Sequence, residues 1–216
     1  MRELIPTPRT TVRRRKERGR YDIETIHAIL DEAMICHLGF ALDGRPWVIP
    51  TAFVRIGDDV YVHGATGNHA LCAVADGAPA CVTVTLVDGL VLARSTFHHS
   101  INYRSLVLFG DGHRVDDPDT KAEIMNALVE HLVPGRTAEA RAARADELRA
   151  TLIVRIPIEE ASAKVRTGGP ADEAEDLALP VWAGVIPLGL DVGDPIPDAD
   201  LDGHLLPPTY VSEYAR

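Results

Sequence analysis

The stretch Val82-Thr83-Val84-Thr85-Leu86-Val87-Asp88-Gly89-Leu90-Val91-Leu92 decides the fold of this chain. Val82, Val84 and Leu86 alternate with Thr83 and Thr85, so an extended segment here has one apolar face and one face of hydroxyls. Asp88-Gly89 then offers a pair that tolerates the positive φ of a hairpin turn, and residues 90–95 begin another strand. The same pattern recurs in both directions. Upstream, segments 34–42 and 46–56 flank Asp43-Gly44, and Gly57-Asp58-Asp59 leads into 60–63. Downstream, 103–109 runs into 113–115, and 151–156 and 161–166 complete the series. Roughly seven or eight antiparallel strands are predicted, enough to close a small barrel.

Helical periodicity appears in three places. Asp22 can cap a helix whose residues Ile23, Ile26, Ile29, Leu30 and Ala33 share a face, and Asn68 can cap a short one over 69–75. Between 117 and 149 the period changes: Ile124, Met125, Leu128, Val129 and Leu132 form a helical stripe, and Pro134-Gly135 breaks it. Residues 137–149, rich in Ala, Arg and Glu, predict a second helix. From Gly168 the chain is turn-rich and acidic, interrupted by the apolar patch 179–190 around Trp182, which is predicted to dock on the body.

Charge is unevenly spread. The 216 residues carry a formal net charge of −10, yet the first twenty hold eight basic residues against Glu3 and Glu17. From Pro170 onward, ten acids face Arg216 alone. An acidic total excludes general nucleic-acid binding, and the basic arm is expected to lie as a strap across a partner subunit's acidic surface. No apolar run reaches the ~18 residues of a membrane span, and no apolar leader precedes the arm. Cys36, Cys72 and Cys81 form no C-x-x-C pair, as expected of reduced thiols packed in a cytoplasmic protein.

Three segments carry more polar residues at strand ends than packing requires. Pro50, within Val48-Ile49-Pro50-Thr51-Ala52, removes a ladder donor and marks an edge or bulge. His63-Gly64-Ala65-Thr66-Gly67-Asn68-His69 runs from a strand into a helix N-terminus, which favours anions. Residues 95–105 include the neighbours His98 and His99, which point to opposite faces of a strand, so no metal site is expected. Tyr103, Arg104 and Ser105 follow, a fork and hydroxyls suited to a phosphate. There is no G-x-S-x-G elbow, no phosphate loop and no G-x-G-x-x-G turn, so chemistry must come from a bound cofactor.

In order along the chain, Pro50-Thr51-Ala52, Val60 to Ala65, Val82 to Ser95, Asn102 to Ser105, Ala163 to Arg166 and Val181 to Pro187 resemble the pyridoxamine 5′-phosphate oxidase-like FMN-binding split-barrel proteins. The branch is similar to the nitroimidazole-resistance flavoproteins. The resemblance implies a mainly β fold with flanking helices, a six-stranded antiparallel split β-barrel. It implies a basic arm at 1–20, an FMN-binding domain over 21–190 with a helical insertion at 117–149, and an acidic tail at 191–216 packing on that domain. It further implies a homodimer with FMN at the interface. Val48, Ile49, Pro50 and Thr51 would line the ring, and His63, Gly64 and Ala65 would lie beside it. Asn68 and His69 would face the phosphate, Tyr103, Arg104 and Ser105 would approach the cofactor, and Trp182 would cover it. His63 is the expected proton donor or substrate contact. Because Asn68 and His69 supply no permanent cation, His69⁺, the helix N-terminus and Arg104 are expected to offset the phosphate. The function expected is an FMN-dependent oxidoreductase taking electrons from NAD(P)H to a small cyclic or nitroaromatic acceptor. Its alternatives are a non-catalytic flavin or haem carrier, with His63, His98 or His99 as axial ligand, and an enzyme of the deazaflavin F420.

Overall fold

The period-two segments form strands of one antiparallel sheet in the computed structural model, which describes residues 2–215. In chain order the elements are β1 (Gly19–Arg20), α1 (Ile23–Glu32), β2 (Ile35–Leu42), β3 (Arg45–Ile56), β4 (Asp59–Ala65), α2 (His69–Ala75), β5 (Pro79–Leu92), β6 (Ser100–Asp111) and β7 (His113–Val115). There follow α3 (Pro118–Leu132), α4 (Ala145–Ala150), β8 (Thr151–Pro157), β9 (Glu160–Arg166), β10 (Gly184–Pro187) and α5 (Thr209–Ser212). The strands run in the order β1-β9-β6-β5-β2-β3-β4-β8-β7, with β10 added beside β5. The resemblance implies six strands. Nine lie on this path, of which β1 with two residues and β7 with three are short edge pieces and seven are full strands. Edges that short leave few unpaired backbone groups.

Alternation places the core. Leu38, Phe53, Val62, Val82, Leu106, Leu108 and Ile156 point inward and pack on Ile26, Ile29 and Leu30 of α1. Asp22 caps α1 by accepting from the Thr25 N–H at 2.9 Å. A smaller cluster lies on the other side of the sheet, where Val54 and Ile153 meet Ile124 and Leu128 of α3. Cys36 is buried and its thiol is pushed up to about 12 by burial, so it is an inert packing residue.

Three expectations change, and the basic arm finds contacts within its own chain. Asp88-Gly89 is no hairpin turn. β5 runs straight through it, and its register to β6 shifts between Val87 and Gly89, as in a bulge. A Cβ on Gly89 would lie 2.9 Å from the Ile186 carbonyl oxygen, so this glycine serves the close approach of β10. Residues 137–149 do not form one helix. A 3-10 turn at Arg136–Ala138 and the six-residue α4 replace it, since a polar segment without an apolar stripe gains nothing by packing. The start of the basic arm docks on its own barrel. Leu4 is buried, its N–H donates to Tyr21, Arg2 pairs with Asp58, and Thr7 and Arg9 both bind Glu160. Finally, only Gly184–Pro187 of the 179–190 patch joins the sheet, while Leu179, Trp182 and Leu190 stay exposed.

The chain then leaves the body and returns. Every residue of 188–206 is exposed, yet both ends are fixed. At one end the Leu188 N–H donates to Asp88. At the other, the Tyr210 hydroxyl donates to Glu139 at 2.7 Å and accepts from Arg136 at 3.0 Å, while Tyr214 donates to Leu132 at 2.8 Å. Among the described residues no helix is long and apolar enough to cross a membrane.

Candidate functional site

If alternate side chains of β2, β5, β6 and β9 fill the core, the others must face outward, and the register says which meet. His37 stands opposite both Pro50 and Thr83, Thr85 opposite Ser105, Ser105 opposite Lys164, and Tyr103 opposite Arg166. Val48 shares this outer face, opposite Gly39. The result is a broad sheet face carrying hydroxyls and an imidazole in its middle and two cations at its β9 margin. Ile35, Val48 and Val87 are exposed apolar residues on it, and Val48 is 66% exposed. An apolar sheet face this open marks a ligand or protein contact.

His63 lies on β4, on the side of the sheet away from the core residues Val60 and Val62. Its Nδ1 is buried and meets no hydrogen-bond partner among the described residues. Burial pushes its pKa below the ordinary histidine value, so the ring is neutral near pH 7 and keeps a lone pair for a ligand. Gly64 next to it is required by packing: a Cβ would sit 2.7 Å from Leu71 Cδ1 and 3.2 Å from Asn68 Nδ2.

The remaining expected residues separate into two groups. Val48, Pro50, Tyr103 and Ser105 share the outer face. Ile49 and Thr51 turn the other way, Ile49 against the core, and Thr51 Oγ1 donates to the Ala52 carbonyl at 3.2 Å. Asn68 uses its carboxamide oxygen to cap α2, accepting from Ala70 N at 3.0 Å and Leu71 N at 3.2 Å. His69 is exposed on the first turn of α2, and Ala65 ends β4 opposite Thr151. Arg104 is committed elsewhere: it binds Asp88 through Nε at 3.0 Å and Nη2 at 2.6 Å, and Glu32 through Nη2 at 2.7 Å. Those carboxylates hold its pKa above the ordinary arginine value. It therefore faces away from Tyr103 and Ser105. Trp182 is 66% exposed and its ring folds over Gly184 rather than over the sheet face. His98 lies 3.5 Å from Glu173 and His99 Nδ1 3.0 Å from the Ser95 carbonyl, so the two rings have separate partners. Among the described residues no three metal-ligating side chains converge.

His37, Thr83, Thr85, Lys164 and Arg166 join the face without having been assigned to a site from the sequence. The signal was present for each: they occupy the outward positions of strands whose inward neighbours, Leu38, Val82, Val84, Ala161 and Ala163, are buried.

Known proteins resemble the chain over most of its length. The family model for pyridoxamine 5′-phosphate oxidase matches residues 22–165. The flavocytochrome Anf3 from Azotobacter vinelandii is 40% identical, with a TM-score of 0.91 over 97% of this chain and 98% of that one. The FAD and haem binding protein from Mycobacterium smegmatis is 38% identical, with a TM-score of 0.87 over 91% and 96%. A 5-nitroimidazole antibiotic resistance protein from Bacteroides thetaiotaomicron, 21% identical with a TM-score of 0.57 over 68% and 86%, shares the fold alone. No curated protein matches.

Proposed function

The chain belongs to the pyridoxamine 5′-phosphate oxidase family of flavin-binding split-barrel proteins, and on that premise we propose that it is a redox protein carrying both a flavin and haem. The two similar proteins that cover nearly the whole chain are a flavocytochrome and an FAD- and haem-binding protein. The flavin proposed is accordingly FAD, in place of the FMN implied by the sequence. A nitroaromatic acceptor rests only on the likeness that shows the fold, so the flavin–haem reading is preferred. NAD(P)H stays the electron donor of this proposal.

The observation that carries the reading is the orphaned, neutral imidazole of His63 beside an open sheet face. A desolvated ring nitrogen without a partner suits an axial metal ligand or an acceptor for a ring N–H. When bound, flavin supplies two-electron exchange and haem one-electron exchange. The chain's own residues bind and orient. Thr83, Thr85, Tyr103 and Ser105 offer hydroxyl donors, Pro50 presents a carbonyl without an N–H, and Ile35 and Val48 keep water off the face. A second copy is proposed to close this face, because the apolar residues there have no cover within one chain.

The absorbance spectrum of freshly purified protein tests the proposal: flavin bands near ~370 and ~450 nm with a Soret band are expected. The mass of the released flavin separates FAD from FMN, and His63→Ala should lose haem or flavin. A colourless protein that takes up neither cofactor sinks the reading.

A further inference from the structure

We propose that Arg15, Arg18 and Arg166 form a binding site for a phosphate or pyrophosphate group at the seam between the N-terminal arm and β9. The proposal deepens the flavin reading, since a flavin nucleotide carries such a group, but it stands on separate residues.

Arg166 is only 8% exposed, and a guanidinium buried to that degree is ordinarily paired with a carboxylate. Here every partner is neutral. Nη1 donates to Asn102 Oδ1 and to the Gly168 carbonyl at 3.4 Å, and Nη2 donates to the Gly169 carbonyl at 3.2 Å. Nε is buried and donates to nothing among the described residues. The chain holds 32 acidic residues, yet among the described residues none pairs with this buried cation.

The neighbouring chain is cationic. β1 pairs with β9 through Gly19 opposite Lys164 and Arg20 opposite Ala163, which lays the preceding run Arg13-Arg14-Arg15-Lys16 beside the same strand. Burial and the charges of Arg18 and Arg15 together lower the Arg166 pKa. Arg18 has Glu17 at 4.0 Å and otherwise no acidic partner, and Arg15 has none, among the described residues. Arg15 also holds a left-handed backbone, φ 56°, without being glycine. The other non-glycine residue of this kind, Asp43, belongs to an Asp-Gly turn, where that conformation is ordinary.

Arg2, Arg9, Arg55, Arg94, Arg104 and Arg155 each pair with a carboxylate. The charges of Arg18 and Arg15 disfavour the buried Arg166 cation, and a multiply charged oxyanion at this seam converts that repulsion into attraction. Guanidinium forks match phosphate oxygens, and several charges at once suit pyrophosphate better than a single carboxylate. The site also supplies the fixed cation that the α2 loop lacks.

The test uses the full-length chain, freed of bound cofactor, with inorganic pyrophosphate as the calorimetric probe. Pyrophosphate is expected to bind more tightly than orthophosphate, and the near-surface double substitution Arg15→Gln/Arg18→Gln to weaken it at least tenfold while circular dichroism is unchanged. Arg166→Gln should abolish binding; should that variant not fold, the double variant decides. Retention of FAD separates the sources. Parallel loss of FAD and competition by pyrophosphate assign the site to the nucleotide, whereas unaltered FAD retention assigns it to a free oxyanion. A protein that takes no flavin yet binds pyrophosphate through these arginines removes the flavin reading and keeps the site. Absence of pyrophosphate binding, or equal affinity in the double variant, overturns the proposal.

Discussion

His63 couples the site to pH. Its folded pKa lies below the ordinary value because burial disfavours the charged ring. As pH falls, the unfolded chain therefore takes up this proton first, near ~6.5, and the folded protein only later. Stability is full above that point and is lost as pH drops through the folded pKa. Urea midpoints at pH 8 and pH 5 should thus fall further in the cofactor-free protein than in its His63→Gln variant. Equal falls would refute the assignment. At this scale the sequence was partly readable. Asn68 as a cap was legible because its partners, Ala70 and Leu71, lie within one turn. Arg104 was not: its carboxylates, Glu32 and Asp88, come from 72 and 16 residues away, and no local pattern foretells them.

Elements fit by close contact, and two substitutions probe it. A Cβ on Gly112 would lie 2.6 Å from Val74 Cγ1, 2.8 Å from Val154 Cγ1 and 2.8 Å from the Val74 carbonyl oxygen. Backbone cannot yield as a side-chain end does, so Gly112→Ala should cost about 1–3 kcal/mol in chemical unfolding by lifting α2 off the sheet. Asn68→Ala should cost about 1 kcal/mol through the lost cap. Asn68→Asp keeps the capping oxygen and should restore most of it, which a thermal melt of the three proteins resolves. Strand positions were legible because alternation in 82–86 and 161–166 maps directly onto the buried pattern of β5 and β9. The Asp88-Gly89 turn was misread because a glycine that admits β10 and a glycine that makes a turn look alike in sequence. The 137–149 helix was misread because propensity stood in for a packing face that does not exist.

For the whole molecule, the open sheet face and the arch of 188–206 set the expectations. Val48→Asp places a charge on the exposed apolar face and should shift the sedimentation coefficient from dimer to monomer with the fold kept; an unmoved value places the partner surface elsewhere. A broad-specificity protease should cut first within 188–206, the longest exposed run between anchored ends. Because Tyr210 and Tyr214 hold α5 on the α3 region, the nicked protein should still elute as one species on a sizing column. The acidic character of the C-terminal region was plain from composition, but its course was not, since exposure of an apolar residue is decided by what the rest of the chain leaves uncovered.

The docked arm has a consequence for how the chain is made. Arg9 finds Glu160 151 residues downstream, and β1 finds β9 at Lys164. During synthesis the arm leaves the ribosome well before β9 and waits for 151 residues of chain before Arg9 can meet Glu160. The arm is therefore among the last segments secured, and the arginine seam comes into being only once β9 has joined the barrel.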